Sequence, residues 1–139
     1  MAPALLRLQD ECAADVCLLL FLLWGAAAGA SVNATTIATI DAAIAPWRAG
    51  VVQPLRAARR ALPNQPGALR DQVKHDEMES ERLQLLTLER FTPGEANTAP
   101  HTAARDALAA YAAFLGVTFP ADAMVAIVAA TDMTSHREL

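Results

Sequence analysis

The sequence predicts an all-α fold: a single domain over residues 1–139, formed by a helical bundle of about five helices. Apolar side chains recur every three or four residues in each long segment, which is the spacing of a helix with one buried face. Hydrophobic residues make up 54% of the chain and aromatic residues only 5%, and the abundance of alanine favours helices. We find no hairpin signal that would indicate paired strands.

The first predicted helix, residues 4–28, contains the longest apolar run of the chain. Residues 16–32 include no charged side chain, and a run of about 17 residues is at the short limit for a transmembrane helix. Three interpretations are open: a membrane span, a signal peptide cleaved near the small residues AGAS, and a helix buried in a soluble protein.

The residues before this run favour the buried helix. A signal peptide begins with a positively charged region, and flanking Lys or Arg residues orient a membrane span, whereas acidic residues outnumber Arg7 here. An apolar stripe also starts well before the run, at Leu8 and Cys12, so the helix begins amphipathic and becomes apolar on all sides. We therefore expect a central helix of the bundle and no membrane segment.

The two cysteines, Cys12 and Cys17, lie on this predicted helix and are not expected to form a disulfide. Five residues turn a helix by about 500°, so the two side chains point apart, and a disulfide needs Cα atoms closer than about 7 Å. Free buried thiols are typical of a reducing compartment, so we expect a cytoplasmic protein.

The second predicted helix covers residues 35–62. Asn33 precedes it and is a candidate N-cap. Pro46 and Pro54 interrupt its apolar stripe, and each removes an amide donor from the helix. The sequence therefore predicts two kinks or a break near residue 45.

The third predicted helix covers residues 68–90 and follows a proline-rich turn at residues 63–67. Such a short connection makes neighbouring helices antiparallel. We expect the buried face of this helix to consist of apolar side chains, namely Leu69, Val73, Met78, Leu85 and Leu88.

The charges of the second and third helices are complementary. Basic side chains predominate in residues 46–74 and acidic ones in residues 75–95. Antiparallel packing would bring the two groups together, so that they neutralise each other. We expect an arginine of the first group to meet a carboxylate of the second, within the set Arg56, Arg59, Arg60, Asp76, Glu77 and Glu81.

Two shorter helices complete the predicted bundle, at residues 99–115 and 120–132. A connection rich in proline, glycine and small polar residues separates the first of them from the third helix. Gly116 is suited to ending one helix, and Pro120 to the first turn of the next.

Three blocks of the chain resemble an uncharacterised bacterial family, domain of unknown function 2390: LQDECAADVCLLLFLLW, WRAGVVQPLRAARRAL and LRDQVKHDEMESERLQL. The resemblance covers residues 5–90. Cys17 departs from the family pattern, which has Asn at this position, and the aromatic segment that usually precedes the first block is missing. We therefore expect a late start site or a lost helix. Since the family has no established activity, the resemblance implies a soluble helical fold and no specific chemistry.

Four arginines form the first candidate site, a surface for an anion or an acidic protein partner: Arg48, Arg56, Arg59 and Arg60. The group is small for nucleic acid, aromatic side chains do not alternate with it, and the net charge of the chain is −4. We therefore expect no nucleic-acid partner.

A polar cluster on the third helix is the second candidate site: His75, Glu77, Glu79, Glu81 and Arg82. A carboxylate-bridged metal site in a bundle would need Glu-x-x-His pairs on two helices, and the sequence contains none. We expect no metal and no cofactor, and we interpret this cluster as a solvated helix face.

Two functional hypotheses remain. The favoured one is a soluble, non-enzymatic interaction or assembly protein with a protein partner or a second copy of itself, because no catalytic motif is found. The alternative is a small enzyme or ligand-binding protein with a pocket between helices, near Arg56 and Arg60 and near Glu77 and Glu81. A compact polar pocket would favour the alternative, whereas a wide exposed apolar patch would favour the first hypothesis.

Overall fold

The computed structural model describes residues 1–62, 67–92 and 94–135, with side chains as far as residue 132. Within these ranges the fold is all-α, as predicted. If the continuous rod that contains α3 and α4 is counted once, six helices are described, against the five expected. The helices are α1 Ala2–Cys12, α2 Val16–Ala27, α3 Ala34–Trp47, α4 Gln53–Ala61, α5 Ala68–Leu88, α6 Pro100–Leu115 and α7 Ala121–Ser135, and a π-helical turn, Arg48–Val52, joins α3 to α4.

The prediction of one helix over residues 4–28 is wrong, because the chain breaks between α1 and α2. Ala13 closes α1 in the left-handed conformation, with φ 57°. Asp15 then caps α2: its Oδ1 accepts hydrogen bonds from the amides of Cys17 at 2.9 Å and Leu18 at 3.3 Å. The first amides of a helix have no partner within that helix, and an aspartate at the N-cap accepts hydrogen bonds from them. Asp15 therefore favours the start of a new helix at Val16. Both cysteines are buried and free, as expected, but they lie on different helices.

Helix α2 is the centre of the molecule, as the sequence predicts. It packs against α1, α5, α6 and α7, and most of its side chains are buried. Its 12 residues are fewer than the roughly 20 that span a bilayer. Among the described helices, none combines the length and the hydropathy that a membrane crossing requires.

The expected break near residue 45 is not observed. Pro46 lies inside α3 and Pro54 in the first turn of α4, and the irregularity is the π turn between them. There the amide of Gln53 donates to the carbonyl oxygen of Arg48, five residues earlier. This wider turn ends directly before Pro54 and accommodates the amide that Pro54 lacks, so the rod continues.

The buried face of α5 is polar, which contradicts the predicted apolar face. Leu69 and Met78 are 65% and 61% exposed, although Leu88 is buried and Leu85 packs against the core as expected. The other buried side chains of this helix are Glu77, Ser80 and Gln84. These side chains face α4, the π turn and Asp15, where charged and hydrogen-bonding partners offset the cost of burial. The interpretation of the acidic cluster as a solvated face is therefore wrong for Glu77.

Helices α6 and α7 agree closely with the predicted boundaries. Gly116, with φ 71°, ends α6 as expected. The predicted turn at residues 63–67 lies, apart from Gly67, outside the described residues, as does the tail beyond residue 135. The connection before α6 lies against the end of α2, where the amide of Thr98 donates to the carbonyl oxygen of Gly29 at 3.2 Å.

Candidate functional site

A cleft of about 180 Å³ opens where the α1–α2 break, the π turn, α4 and α5 meet. We call it the polar cleft. Seven of its lining side chains carry an amide, carboxylate or guanidinium group, and they come from α1, the α1–α2 connection, the π turn, α4 and α5; they are Gln9, Asp15, Arg48, Gln53, Arg56, Glu81 and Gln84.

Asp15 joins these segments through both carboxylate oxygens and its own amide. While Oδ1 caps α2, Oδ2 accepts from Nε of Arg48 and from Nε2 of Gln84, both at 2.6 Å. The amide of Asp15 donates to the hydroxyl of Tyr111 on α6 at 2.8 Å. One residue therefore fixes the relative positions of α2, the π turn, α5 and α6.

Arg48, on the wall of the polar cleft, bridges two aspartates. Its Nε binds Asp15 at 2.6 Å and its Nη2 binds Asp41 at 2.5 Å. Burial opposes the charge of this guanidinium, but the hydrogen bonds to Asp41 and Asp15 outweigh it and raise the pKa of Arg48 above its ordinary value. The side chain is therefore a permanent cation held in one orientation.

A second charged group joins α4 to α5. Arg56 binds Glu77 through Nε at 3.4 Å and Glu81 through Nη2 at 3.0 Å, while Nε of Arg59 donates to Glu77. Burial works to raise the pKa of Glu77, but the hydrogen bond from Arg59 and the charges of Arg59 and Arg56 outweigh it, and the pKa is lowered. The predicted meeting of arginines and carboxylates is therefore confirmed.

The predicted site residues do not form one surface. Arg48, Arg56 and Glu81 line the polar cleft, and Glu77 and Arg59 lie beside it. The rest lie elsewhere. Arg60 pairs with Asp10 at 3.2 Å on the surface, and three exposed residues of the predicted cluster lie on the outer face of α5, namely His75, Glu79 and Arg82.

Metal ligation finds no support in the part of the chain that the structure describes. No three histidine, cysteine, aspartate or glutamate side chains there are placed to hold an ion. The acidic oxygens of the polar cleft instead accept hydrogen bonds from arginines and from Gln84.

Sequence reasoning missed Asp15, Asp41, Cys17 and Gln84 as site residues. Asp15 carried a signal, since an aspartate directly before an apolar helical run is typical of an N-cap. Gln84 also carried one, because Glu77, Ser80, Gln84 and Leu88 repeat every three or four residues. A polar stripe with this spacing is read as a solvent face unless its partners are known.

The Cys17 thiol lies on the wall of the polar cleft in its neutral form. Burial, with the charge of Asp15 as the next cause, raises its pKa to about 12. Its Sγ lies 3.8 Å from the carbonyl oxygen of Glu81, to which the thiol can donate. Since the thiolate is the reactive form of cysteine, this thiol is a poor nucleophile near neutral pH.

Gln84 presents a buried acceptor with no partner. Its side chain amide donates to Asp15, yet Oε1 accepts no hydrogen bond from any described residue, and the residue is only 1% exposed. Rotating the amide would bring Oε1 to 2.6 Å from a carboxylate oxygen of Asp15, which repulsion forbids. The orientation is therefore fixed, and Oε1 remains unpaired.

A second surface surrounds the C-terminal half of α5, and we call it the apolar face. Trp24 is 62% exposed and Leu86 44%. Grooves of about 510 Å³ and 350 Å³ flank the helix, one beside Trp24 and the other beside Trp47. The apolar face is therefore a second candidate surface beside the polar cleft.

The comparisons with known proteins concern the N-terminal part of the chain. The family model described as "Protein of unknown function (DUF2390)" matches residues 1–88, which include every residue that lines the polar cleft. Neither a curated protein nor a solved structure matches the chain. Because the family model covers more than half of its residues, the chain belongs to the DUF2390 family of proteins of unknown function.

Proposed function

We propose that this protein binds a small molecule in the polar cleft. The observation that supports the proposal is that the polar side chains around the cleft hold one another in fixed positions, with Asp15 bound to Arg48 and to Gln84, and Arg56 bound to Glu81. A concave site with a few polar groups of fixed orientation is typical of small-molecule binding.

The shape of the polar cleft supports a compact ligand. Pockets for drug-sized molecules measure about 300–1,000 Å³, and a cavity of about 150 Å³ holds a molecule of the size of benzene. At about 180 Å³, the polar cleft is suited to a ligand of similar size. Its walls are held in place by the cap of α2 and by the ion pairs of Arg48 and Arg56.

The charged groups favour binding over catalysis. A general base needs a free carboxylate or imidazole, whereas Asp15 and Glu81 each accept hydrogen bonds from an arginine. The thiol of Cys17, with its raised pKa, does not supply a nucleophile either.

A fragment screen by two-dimensional amide NMR tests the proposal. Molecules of up to about ten non-hydrogen atoms should shift the backbone amide signals of residues 14–17, 52, 53 and 56, which line the polar cleft. Gln53→Trp places a ring at the cleft wall and should abolish these shifts, while Gln72→Trp, an exposed change on α5, should leave them unchanged. A screen that finds no molecule bound to the polar cleft, or finds binders only at the apolar face, would contradict the proposal.

The second candidate function is the interaction protein that the sequence favours, with the apolar face as the contact surface. The observation that supports it is the exposure of Trp24, at 62%, and of Leu86, at 44%, in the two grooves that flank α5. Exposed apolar groups of this size often belong to protein interfaces. Nucleic acid is not proposed as a partner, because the net charge is −4 and the arginines of the polar cleft are paired with acids.

Sedimentation analysis tests the second candidate for the case of a homodimer. The wild-type protein should form dimers at micromolar concentration, and Trp24→Glu should form monomers. Val125→Glu, which changes a side chain that is 69% exposed on α7, is the matched control. A wild-type protein that remains monomeric at all concentrations would exclude the homodimer.

We propose the cytoplasm as the location of the protein. The proposal is supported by the two free thiols, which are typical of a reducing compartment.

A further inference from the structure

We propose that a second copy of this chain covers the Trp47 side of the apolar face, with the two α5 helices antiparallel about a two-fold axis. This inference rests on the second candidate function and specifies the partner, the contact residues and their register. It follows from four residues that repeat along the outer side of α5. We call them the outer stripe, and they are Glu79, Leu83, Leu86 and Arg90.

The outer stripe has the spacing of a contact between two helices. Its members are four, three and four residues apart, the alternation that keeps side chains on the side of a helix that faces a partner helix. Leu83 and Leu86, in the middle, are 39% and 44% exposed. Arg90 lies just beyond α5, in a turn where its amide donates to the carbonyl oxygen of Thr87 at 3.3 Å. The outer stripe is therefore continuous and open to a partner.

An apolar groove borders the outer stripe on the side of α3. It measures about 350 Å³, and its lining includes Leu83, Leu86 and Arg90 from the side of α5 and Ala43 and Trp47 from α3. Trp47 is 38% exposed. A leucine of a partner helix can enter such a groove as a knob enters a hole, so the groove adds apolar contact area beside the stripe.

The charges at the two ends make the outer stripe complementary to itself. It begins with an acid and ends with a base, and the leucines lie between them. Across a two-fold axis, residue i meets residue j of the partner and j meets i. In the antiparallel arrangement Leu83 meets the partner's Leu86, and Glu79 meets the partner's Arg90, at each end of the contact. A parallel pair would place like charges together at both ends, which is unfavourable.

Both charged residues of the outer stripe are available for this contact. Arg90 has no ion-pair partner among the described residues. Glu79 pairs with Arg82 at 2.6 Å on the surface, but a carboxylate offers about four acceptor sites. Glu79 can therefore accept from the partner's Arg90 while it keeps Arg82. The groove supplies a base without an acid, and the same helix of a second copy supplies the missing acid.

Charge reversal, followed by sedimentation equilibrium of the full chain, tests the register. Glu79→Arg and Arg90→Glu each put like charges at both ends of the contact, and each should weaken the dimer by about tenfold. The double variant exchanges the charges and should restore the dissociation constant to within about threefold of the wild-type value. Asp106→Arg, which reverses an exposed acid on α6, should leave the dimer unchanged. A double variant that dimerises no better than the single ones would overturn the inference.

Leu86→Glu tests the apolar centre of the contact. It places a carboxylate against the partner's Leu83 on both sides of the axis and should leave only monomers at micromolar concentration. Met78→Glu changes an apolar side chain of α5 that is 61% exposed and lies off the outer stripe, and it should dimerise like the wild type. If Leu86→Glu does not fold, the charge reversals decide, because they alter only exposed charged side chains. A folded Leu86→Glu that dimerises like the wild type would contradict the inference.

The homodimer and this contact fail in different ways. If the wild-type protein stays monomeric at all concentrations, both are wrong. If it dimerises and Trp24→Glu separates the dimer, while Leu86→Glu and the charge reversals do not, a second copy binds elsewhere on the apolar face and the register along α5 is wrong.

Discussion

Asp15 uses its two carboxylate oxygens for different tasks. Oδ1 caps α2, and Oδ2 holds Arg48 and Gln84 in place. Local structure and the geometry of the polar cleft therefore depend on the same side chain. The amide of Asp15 adds a third link, to the hydroxyl of Tyr111, and this link comes from outside the part of the chain that matches the family model.

Tyr111→Phe measures the value of that link. Removing the hydroxyl leaves the amide of Asp15 without its acceptor, and an unpaired buried group costs about 1–3 kcal/mol. Denaturant unfolding should show a decrease of this size in the free energy of unfolding. Thr39→Ala, which removes an exposed hydroxyl of α3, is the control and should change stability by less than about 0.5 kcal/mol. Equal stability of the two variants would mean that water replaces the hydroxyl.

Glu77 should give the protein a specific dependence on pH. Because its pKa in the folded state is lowered from the ordinary value of 4.5, its ionised form stabilises the fold above that pH. The contribution is lost as the pH falls through the folded-state pKa. Glu77→Gln should be less stable than the wild type by about 3 kcal/mol at pH 7, the low end for breaking a buried ion pair.

Unfolding curves at pH 7 and at pH 3 check both parts of this expectation. The wild type should lose more stability between the two values than Glu77→Gln does, because the variant lacks the titrating group. Glu79→Gln removes an ion pair with Arg82 on the surface of the same helix and should behave like the wild type. A variant with the full acid sensitivity of the wild type would show that Glu77 does not cause it.

At the scale of elements, α4 and α5 are held together mainly by charge. No residue of α4 is fully buried, and its partner face on α5 contains Glu77 and Gln84 rather than leucines. Trp47, just before the π turn, adds a hydrogen bond from its indole to the carbonyl oxygen of Ser80 at 2.9 Å. The position of α4 therefore depends on directional bonds, whereas α2 is held by apolar packing.

The unusual face of α5 predicts how two of its apolar residues respond to truncation. Met78→Ala should change the free energy of unfolding by less than about 0.5 kcal/mol, because Met78 is 61% exposed. Leu88→Ala should cost about 2–5 kcal/mol, because this side chain is fully buried. Chemical denaturation of both variants provides the measurement. A large loss of unfolding free energy in Met78→Ala would instead support the apolar buried face that the sequence periodicity predicts.

The elements also show how far the sequence can be interpreted. Most helix ends were predicted within a few residues, since prolines, glycines and caps mark them in the sequence. The central position of α2 and the pairing of Arg56 with Glu77 followed from hydropathy and charge. The break at Ala13 was missed although Asp15, which caps the following helix, carried a local signal for it. The burial of Gln84 could not be predicted in this way, because its partner Asp15 lies 69 residues away.

At the scale of the whole molecule, the core is continuous across the end of the family match. Buried apolar side chains of α6 and α7 join those of α1, α2 and α3 in one cluster. The connection before α6 also touches the end of α2, through the pair of Ala30 and Ala96. We therefore expect the described helices to unfold as one unit.

Gly29 tests the contact between these two parts. Its φ is +84°, and a Cβ at this position would lie 2.5 Å from the carbonyl oxygen of Thr98. Gly29→Ala should therefore lower the unfolding free energy by more than about 1 kcal/mol. Gly50→Ala is the matched control, because a Cβ there meets nothing within 4 Å, and it should be neutral or stabilising by up to about 1 kcal/mol. Thermal unfolding that ranks the two variants in the opposite order would contradict the described connection.

The π turn at Arg48–Val52 determines the direction in which the side chains of α4 point. One residue more or less in a helix changes the direction of every later side chain by about 100°. The extra residue of the π turn therefore sets the angular phase of α4 relative to α3. Without the extra residue, Arg56 and Arg59 would point about a quarter-turn away from Glu77. Asp15 could still hold Arg48, but neither arginine of α4 would reach α5. The number of residues in the turn, whatever their identity, thus decides whether Arg56 and Arg59 can pair with Glu77 and join α4 to α5 beside the polar cleft.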